Sequence, residues 1–147
     1  MLFKNISILD ENLDLQENMY VGIKKERIDY IGKELPEDAE EYGEQYDGNG
    51  KLLMSAFYNT HTHSPMTLMR GYGGGLNLQD WLTQKIFPFE DKLDSHAVYY
   101  GTLLAMAESI ASGIVSSTDM YSLCDDIARA VLDSGAKMNI SRGVVHF

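Results

Sequence analysis

Two histidines separated by a single residue, His61 and His63 in Asn59-Thr60-His61-Thr62-His63-Ser64-Pro65-Met66, carry more chemical content than any other segment of this chain. Imidazole nitrogens bind divalent ions at about 2.0–2.1 Å. Residues i and i+2 of a strand leave the same face with Cα atoms about 6.5 Å apart, so both rings can converge on one ion. That is half of a metal site, and two satisfied polar residues near a strand end is the plain alternative. The single Cys124 forms no intramolecular disulfide and supplies no Cys-x-x-Cys pair, which excludes the nucleobase deaminases that hold zinc that way. A metal here is held by histidines and carboxylates.

The elements around the pair follow from periodicity. Leu52 to Thr60 reads as a buried strand that delivers His61 and His63 at its C-terminal end, the end at which ligands collect in parallel α/β folds. A glycine-containing region follows (Gly71, Gly73, Gly74, Gly75), and a short helix is expected around Asp80 to Lys85. The glycine run lacks the Gly-Lys-Ser/Thr ending of a phosphate loop and is expected to give mobility to a loop over the site. Asp94 or Ser95 can cap the next helix, whose apolar positions Val98, Leu103, Met106, Ala107 and Ile110 fall near a stripe, with Gly113 placed to end it. Ile114 to Met120 is a second strand. Ser122 can cap a further helix carrying Ile127, Ala130, Val131 and Leu132 and ended by Gly135, and Met138 to Val145 is a third strand. Strand-helix-strand-helix-strand means parallel pairing by right-handed crossovers.

Before residue 50 the pattern differs. Leu2, Ile6 and Ile8 alternate, and Val21 with Ile23 and Ile28 with Tyr30 flank a polar turn, the signature of a hairpin. Glu34 to Asn49 holds Pro36, two glycines and seven acidic residues, which suits a solvated loop with an edge strand. Residues 1–50 carry 13 of the 22 acidic and 5 of the 12 basic residues, so the composition changes near residue 50.

The net charge of −10 across 147 residues argues against nucleic acid and anionic membrane surfaces as partners, because phosphate binding needs clustered Lys and Arg. No apolar run approaches the ~20 residues that span a bilayer, and the N-terminus lacks the pattern of a secretion signal; the expected location is cytoplasmic. At 44% hydrophobic residues the chain is expected to fold. A third strand with no helix after it leaves an exposed edge, so a fragment of a longer protein, or a chain dependent on a partner, is expected.

The segment Asn59 to Gly71, with Leu78-Gln79-Asp80-Trp81-Leu82, Ile86-Phe87-Pro88-Phe89-Glu90, Ser112-Gly113 and Asp119-Met120-Tyr121, resembles the N-terminal part of the metal-dependent amidohydrolase superfamily. Within it the resemblance is to the 5-methylthioadenosine/S-adenosylhomocysteine deaminases and related chlorohydrolases. It implies an α/β fold: strands of a small β-sandwich domain over residues 1–53, then the first three β/α units of a TIM-like (β/α)8 barrel over 54–147, truncated. It implies that His61 and His63 bind zinc or another divalent ion such as iron, with the third His, an acid-base Glu and an Asp all beyond residue 147. With two imidazoles and no placed acid-base group, the 147 residues alone are expected to be inactive.

Three substrate contacts carry over by the same resemblance. Glu90 matches an acidic residue that accepts hydrogen bonds from ribose hydroxyls, Trp81 an aromatic of the base pocket, and Arg142 an arginine near the barrel mouth. Each has a plain reading as surface or packing. The expected function is deamination of an adenine nucleoside, a small molecule, by a metal-activated water; a homo-oligomer is left open. The alternatives are a guanine, cytosine or triazine ring, or a non-catalytic assembly fragment. His96 and His146 read as structural, and Asp119 either supports the metal site or caps the start of a helix. Two departures from the family pattern are Ser55-Ala56 in place of Pro-Gly, and the three glycines after Arg70-Gly71-Tyr72.

Overall fold

The apolar residues of the first nine positions form β1 (Leu2–Leu9), but their alternation is broken where Asn5 takes a φ of 54° and the register with the next strand shifts. Ile6 and Ile8 therefore turn into a core shared with Met19 and Val21, while Leu2 packs with Ala39 and Tyr42. The computed structural model describes residues 1–143, and the chain divides into two units, Met1–Ser55 and Ala56–Phe147. In the first unit β1 runs antiparallel to β2 (Leu15–Lys24), which pairs antiparallel with β3 (Arg27–Gly32). The other edge of β1 takes two short parallel strands, β4 (Gln45–Asp47) and β5 (Leu52–Leu53). The expected hairpin is present: Lys24 pairs with Arg27 across a two-residue turn in which Lys25 has φ of 55°.

The acidic stretch after β3 is a loop with one 3-10 turn, Ala39–Tyr42, and the edge strand β4. Its charges are partly partnered: Lys24 Nζ lies 2.6 Å from Asp38, 3.3 Å from Glu41 and 3.6 Å from Asp29. Tyr42 is buried, and its hydroxyl donates to Asp29 at 2.7 Å. That carboxylate acceptor, with burial behind it, pushes the phenol up to about 12.

The run Leu52 to Thr60 is not one buried strand. It splits into β5, which belongs to the first sheet, and β6 (Phe57–Thr62), which opens the second, because Met54-Ser55-Ala56 carries the chain from one sheet to the other. Phe57 and Tyr58 are 55% and 73% exposed. The second unit is a three-stranded parallel sheet in the order β6, β7 (Ile114–Tyr121), β8 (Lys137–Arg142). Between β6 and β7 come a 3-10 helix (Ser64–Met69), α1 (Leu78–Trp81), a π-helical turn (Leu82–Ile86), α2 (Phe87–Glu90) and α3 (Ser95–Ala111). The π turn has a local cause: Pro88 has no N–H to donate and its ring crowds the carbonyl four residues back, so the helix widens there. Helix α4 (Cys124–Ser134) joins β7 to β8.

Asp94 caps α3, its carboxylate accepting from the Ala97 amide at 2.8 Å, and Gly113 and Gly135 follow α3 and α4 with φ of 75° and 72°. Ser122 does not cap α4. Leu123 holds that position in the left-handed region (φ 53°, ψ 46°) with no side-chain cap. The buried stripe of α3 is also rotated from the expected one: Val98, Gly101, Thr102, Ala105 and Met106 face inward, whereas Ala107 and Ile110 are exposed. Strand β8 ends at Arg142, and Val144, Val145 and His146 lie outside the described residues. The core of this unit joins α3, α4 and the sheet through Val98, Met106, Tyr121, Ile127 and Val131.

Gly101 explains the rotated stripe. A Cβ at this position would stand 3.0 Å from both the Leu68 side chain and the Pro65 carbonyl oxygen, so α3 approaches the 3-10 helix more closely than an alanine allows. The Thr67 hydroxyl closes the contact by donating to the Gly101 carbonyl at 2.8 Å. Gly101→Ala therefore destabilises the chain by about 1–3 kcal/mol, in spite of alanine's better helix propensity, because a backbone oxygen has to move. Urea unfolding measures this; a stabilised variant would show that the contact is slack.

Candidate active site

The two histidines stand at the end of β6, where the strand is not regular. Asn59 pairs with Ser117 and Thr62 with Asp119, so three steps on β6 oppose two on β7, a bulge that contains His61. The Asn59 side chain accepts from the His61 amide at 3.2 Å inside the bulge. The two rings meet edge to face, with centroids 5.0 Å apart and planes at 80°.

His63 is oriented by a group with no side-chain signature. Its Nδ1 lies 2.6 Å from the Met120 carbonyl oxygen of β7. A carbonyl only accepts, so Nδ1 carries the proton and Nε2 presents its lone pair, the arrangement of a metal-binding imidazole held by an outer hydrogen bond. One residue on, the Ser64 amide donates to both carboxylate oxygens of Asp119 at 3.2 Å. Asp119 is fully buried, and burial raises its pKa against the lowering effect of the Ser64 hydrogen bonds and of nearby His63. It thus holds the first amide of the 3-10 helix, directly behind the second histidine. The Ser141 hydroxyl donates to the Asp119 carbonyl at 3.0 Å and ties β8 to the same point.

A cavity of about 370 Å³ opens beside His63, walled by Trp81, Ile86, Glu90, Met120 and Tyr121. Its volume is in the range of small-molecule sites, which run about 300–1,000 Å³. Trp81 is pinned by its indole N–H, which donates to the Tyr72 carbonyl at 3.0 Å across the glycine turn. Glu90 accepts from the Tyr121 hydroxyl at 2.7 Å. Burial, with Glu90 next, raises the Tyr121 phenol well above its ordinary value.

The structure thus brings His63, Trp81 and Glu90 to one cavity and places His61 against His63. Arg142 is not in that wall: it is exposed and lines a neighbouring recess of about 480 Å³ with Ser95, Asp125 and Asp126. Ser122 and Gly143 line both spaces. His96, on the first turn of α3, packs its ring 4.6 Å from that of Tyr100. Among the described residues no group of three or more His, Cys, Asp and Glu is placed to hold a metal. Residue types pointed to neither the Met120 carbonyl nor Tyr121 as part of the site. Any residue supplies a carbonyl, and a tyrosine at a strand end is ordinary core.

Comparison with known proteins bears on this arrangement. Residues 52–146 match the model of the amidohydrolase family. The chain is 37% identical over 147 residues to a 5-methylthioadenosine/S-adenosylhomocysteine deaminase of Dictyoglomus turgidum, covering 99% of this chain and 33% of the relative. It is 48% identical over 101 residues to a 5'-deoxyadenosine deaminase of Methanospirillum hungatei, covering 69% and 22%. Among solved structures, zinc-bound atrazine chlorohydrolase from Arthrobacter aurescens superposes with a TM-score of 0.82 at 19% identity, over 96% of this chain and 35% of that one. A zinc-bound adenosine deaminase from Xanthomonas campestris gives 0.79 at 28% identity, over 93% and 32%. The chain spans about a third of the length of the first deaminase and of both solved structures. With the family model matched across the sheet that carries both histidines and the cavity, the chain belongs to the amidohydrolase family.

Proposed function

We propose that this chain is the N-terminal part of a metal-dependent hydrolase that deaminates adenine nucleosides of the 5-methylthioadenosine/S-adenosylhomocysteine type. The observation that carries the reading is the single cavity joining a metal-ready histidine to a carboxylate and an aromatic wall. Identity of 37–40% to deaminases along 97–99% of the chain supports an adenine nucleoside over the triazine of the structurally similar chlorohydrolase, at 19%. On this reading β6, β7 and β8 are the first three strands of a (β/α)8 barrel, and the first sheet belongs to a small β-sandwich.

The residues present fit half of a divalent-metal site. The rings of His61 and His63 are close enough to reach one ion at ~2.0–2.1 Å, and the Met120 carbonyl leaves His63 Nε2 as a donor. When bound, a divalent ion such as zinc supplies activation of a water at neutral pH. The chain's own residues bind and orient. Trp81 offers a flat apolar wall to a purine, and Glu90, an acceptor-only group, takes hydrogen bonds from ribose hydroxyls. Arg142, which lines the adjoining recess, meets on this reading a polar 5' tail that leaves the main cavity.

Glu90→Gln tests this reading in the metal-loaded full-length enzyme. Charge-assisted hydrogen bonds contribute about 1.5–3 kcal/mol, so KM for 5-methylthioadenosine rises about 10–100-fold while kcat changes less. An enzyme that turns over guanine or a triazine but no adenine nucleoside overturns the reading, as does an unchanged KM.

A further inference from the structure

We propose that Tyr121 is a positioning residue for Glu90: its hydroxyl occupies one oxygen of the carboxylate and aims the other at a ligand's vicinal hydroxyls. The inference rests on the reading of Glu90 as the ribose acceptor and adds to it the residue that makes the carboxylate selective.

Glu90 ends a four-residue helix that follows the π turn, so its own element does little to fix it. Tyr121 is the opposite case. It is the last residue of β7, only 8% exposed, and its ring is packed in the core with Val98, Met106 and Ile127. Its backbone is held by pairing with Arg142 and by the Gly143 amide, which donates to the Tyr121 carbonyl at 3.2 Å. From that base the hydroxyl reaches into the cavity and donates to Glu90 Oε1 at 2.7 Å. A carboxylate has about four acceptor positions on two oxygens, so one donated bond leaves Oε2 and the rest of Oε1 for a ligand. Tyr121 is the donor of this pair because a carboxylate oxygen only accepts.

The adjacent residue does the matching job for the metal side, since the Met120 carbonyl holds His63 Nδ1. Two consecutive residues of one strand end therefore fix the distance between a metal ligand and the hydroxyl acceptor. A Glu90 freed from Tyr121 still accepts hydrogen bonds but must be ordered by the ligand, and it loses the advantage it gives to a diol.

The experiment compares kcat/KM for 5-methylthioadenosine and for its 2',3'-dideoxy counterpart in the metal-loaded full-length enzyme, using wild type, Tyr121→Phe, Glu90→Gln and the double variant. Phenylalanine keeps the ring and removes only the hydroxyl; metal content and thermal unfolding check that each variant is folded. The ribose-to-dideoxy ratio is expected to fall about tenfold in Tyr121→Phe, through KM. It falls at least as far in Glu90→Gln, and no further in the double variant. A Tyr121→Phe ratio equal to wild type, or losses that simply add in the double variant, overturns the positioning role and leaves Glu90 as acceptor intact. A wild-type enzyme with no preference for the diol overturns both.

Discussion

His63→Ala is expected to remove stoichiometric metal from the full-length enzyme and, with it, essentially all turnover of 5-methylthioadenosine. Residues that only orient a metal ligand typically cost 10–100-fold in affinity or activity when changed. On the proposed reading, deleting a ligand costs more, because an ion would lose one of the two imidazoles this chain offers and the Met120 carbonyl loses its partner. Plasma emission spectrometry on dialysed protein, alongside a deamination assay, reads both quantities. His63→Gln separates the roles, since its amide N–H can reach toward Met120 without replacing an imidazole. Full metal occupancy in the alanine variant would show that the histidine pair is structural.

Asp119 should give the second largest effect, and its size depends on the replacement. The fully buried carboxylate accepts from the Ser64 amide with both oxygens, and Ser64 is itself 1% exposed. Asp119→Ala strands that amide, at about 1–3 kcal/mol for an unsatisfied buried donor, and leaves a small cavity. It also releases the residue next to His63, so metal affinity falls about 10–100-fold, as for other supporting groups. Asp119→Asn keeps a carbonyl oxygen for the amide and removes the burden of a buried charge, the same burden that raises the carboxyl's pKa. Its stability therefore stays within about 1 kcal/mol of wild type. Urea unfolding and metal titration of both variants test the contrast; equal losses in the two would mean that the negative charge, rather than the acceptor, is what the site uses.

Much of this could be read from residue order, because it depends on neighbours in the chain. The alternation of Leu2 with Ile6 and Ile8 is broken by an irregularity at Asn5 (φ 54°) that sends Leu2 to a separate cluster, whereas the Lys25-Glu26 hairpin turn, the Asp94 cap and the glycines after α3 and α4 are all set within a few residues, and each stands where local chemistry puts it. The same holds for the histidine pair, whose spacing alone brings two rings to one strand end. Residue order and structure part company where a partner distant in the chain decides the outcome. Leu52 to Thr60 reads as one apolar strand, yet pairing with β1 takes its start and pairing with β7 takes its end. The α3 stripe turned because Gly101 lets the 3-10 helix close in, a contact no helical period contains.

Residue order alone sets the histidine pair and its spacing, the alternation of strand and helix after residue 56, and the lack of a cysteine pair. Tertiary structure alone decided which ring nitrogen of His63 is free, that Asp119 supports the adjacent amide, that Glu90 is gripped by Tyr121, and that Arg142 opens on a separate recess. The reason is physical: residue type and spacing fix what a side chain can do. Which partner it meets depends on parallel strands whose register joins residues 31 to 57 positions apart, and at the His63 contact on a backbone carbonyl that every residue type carries.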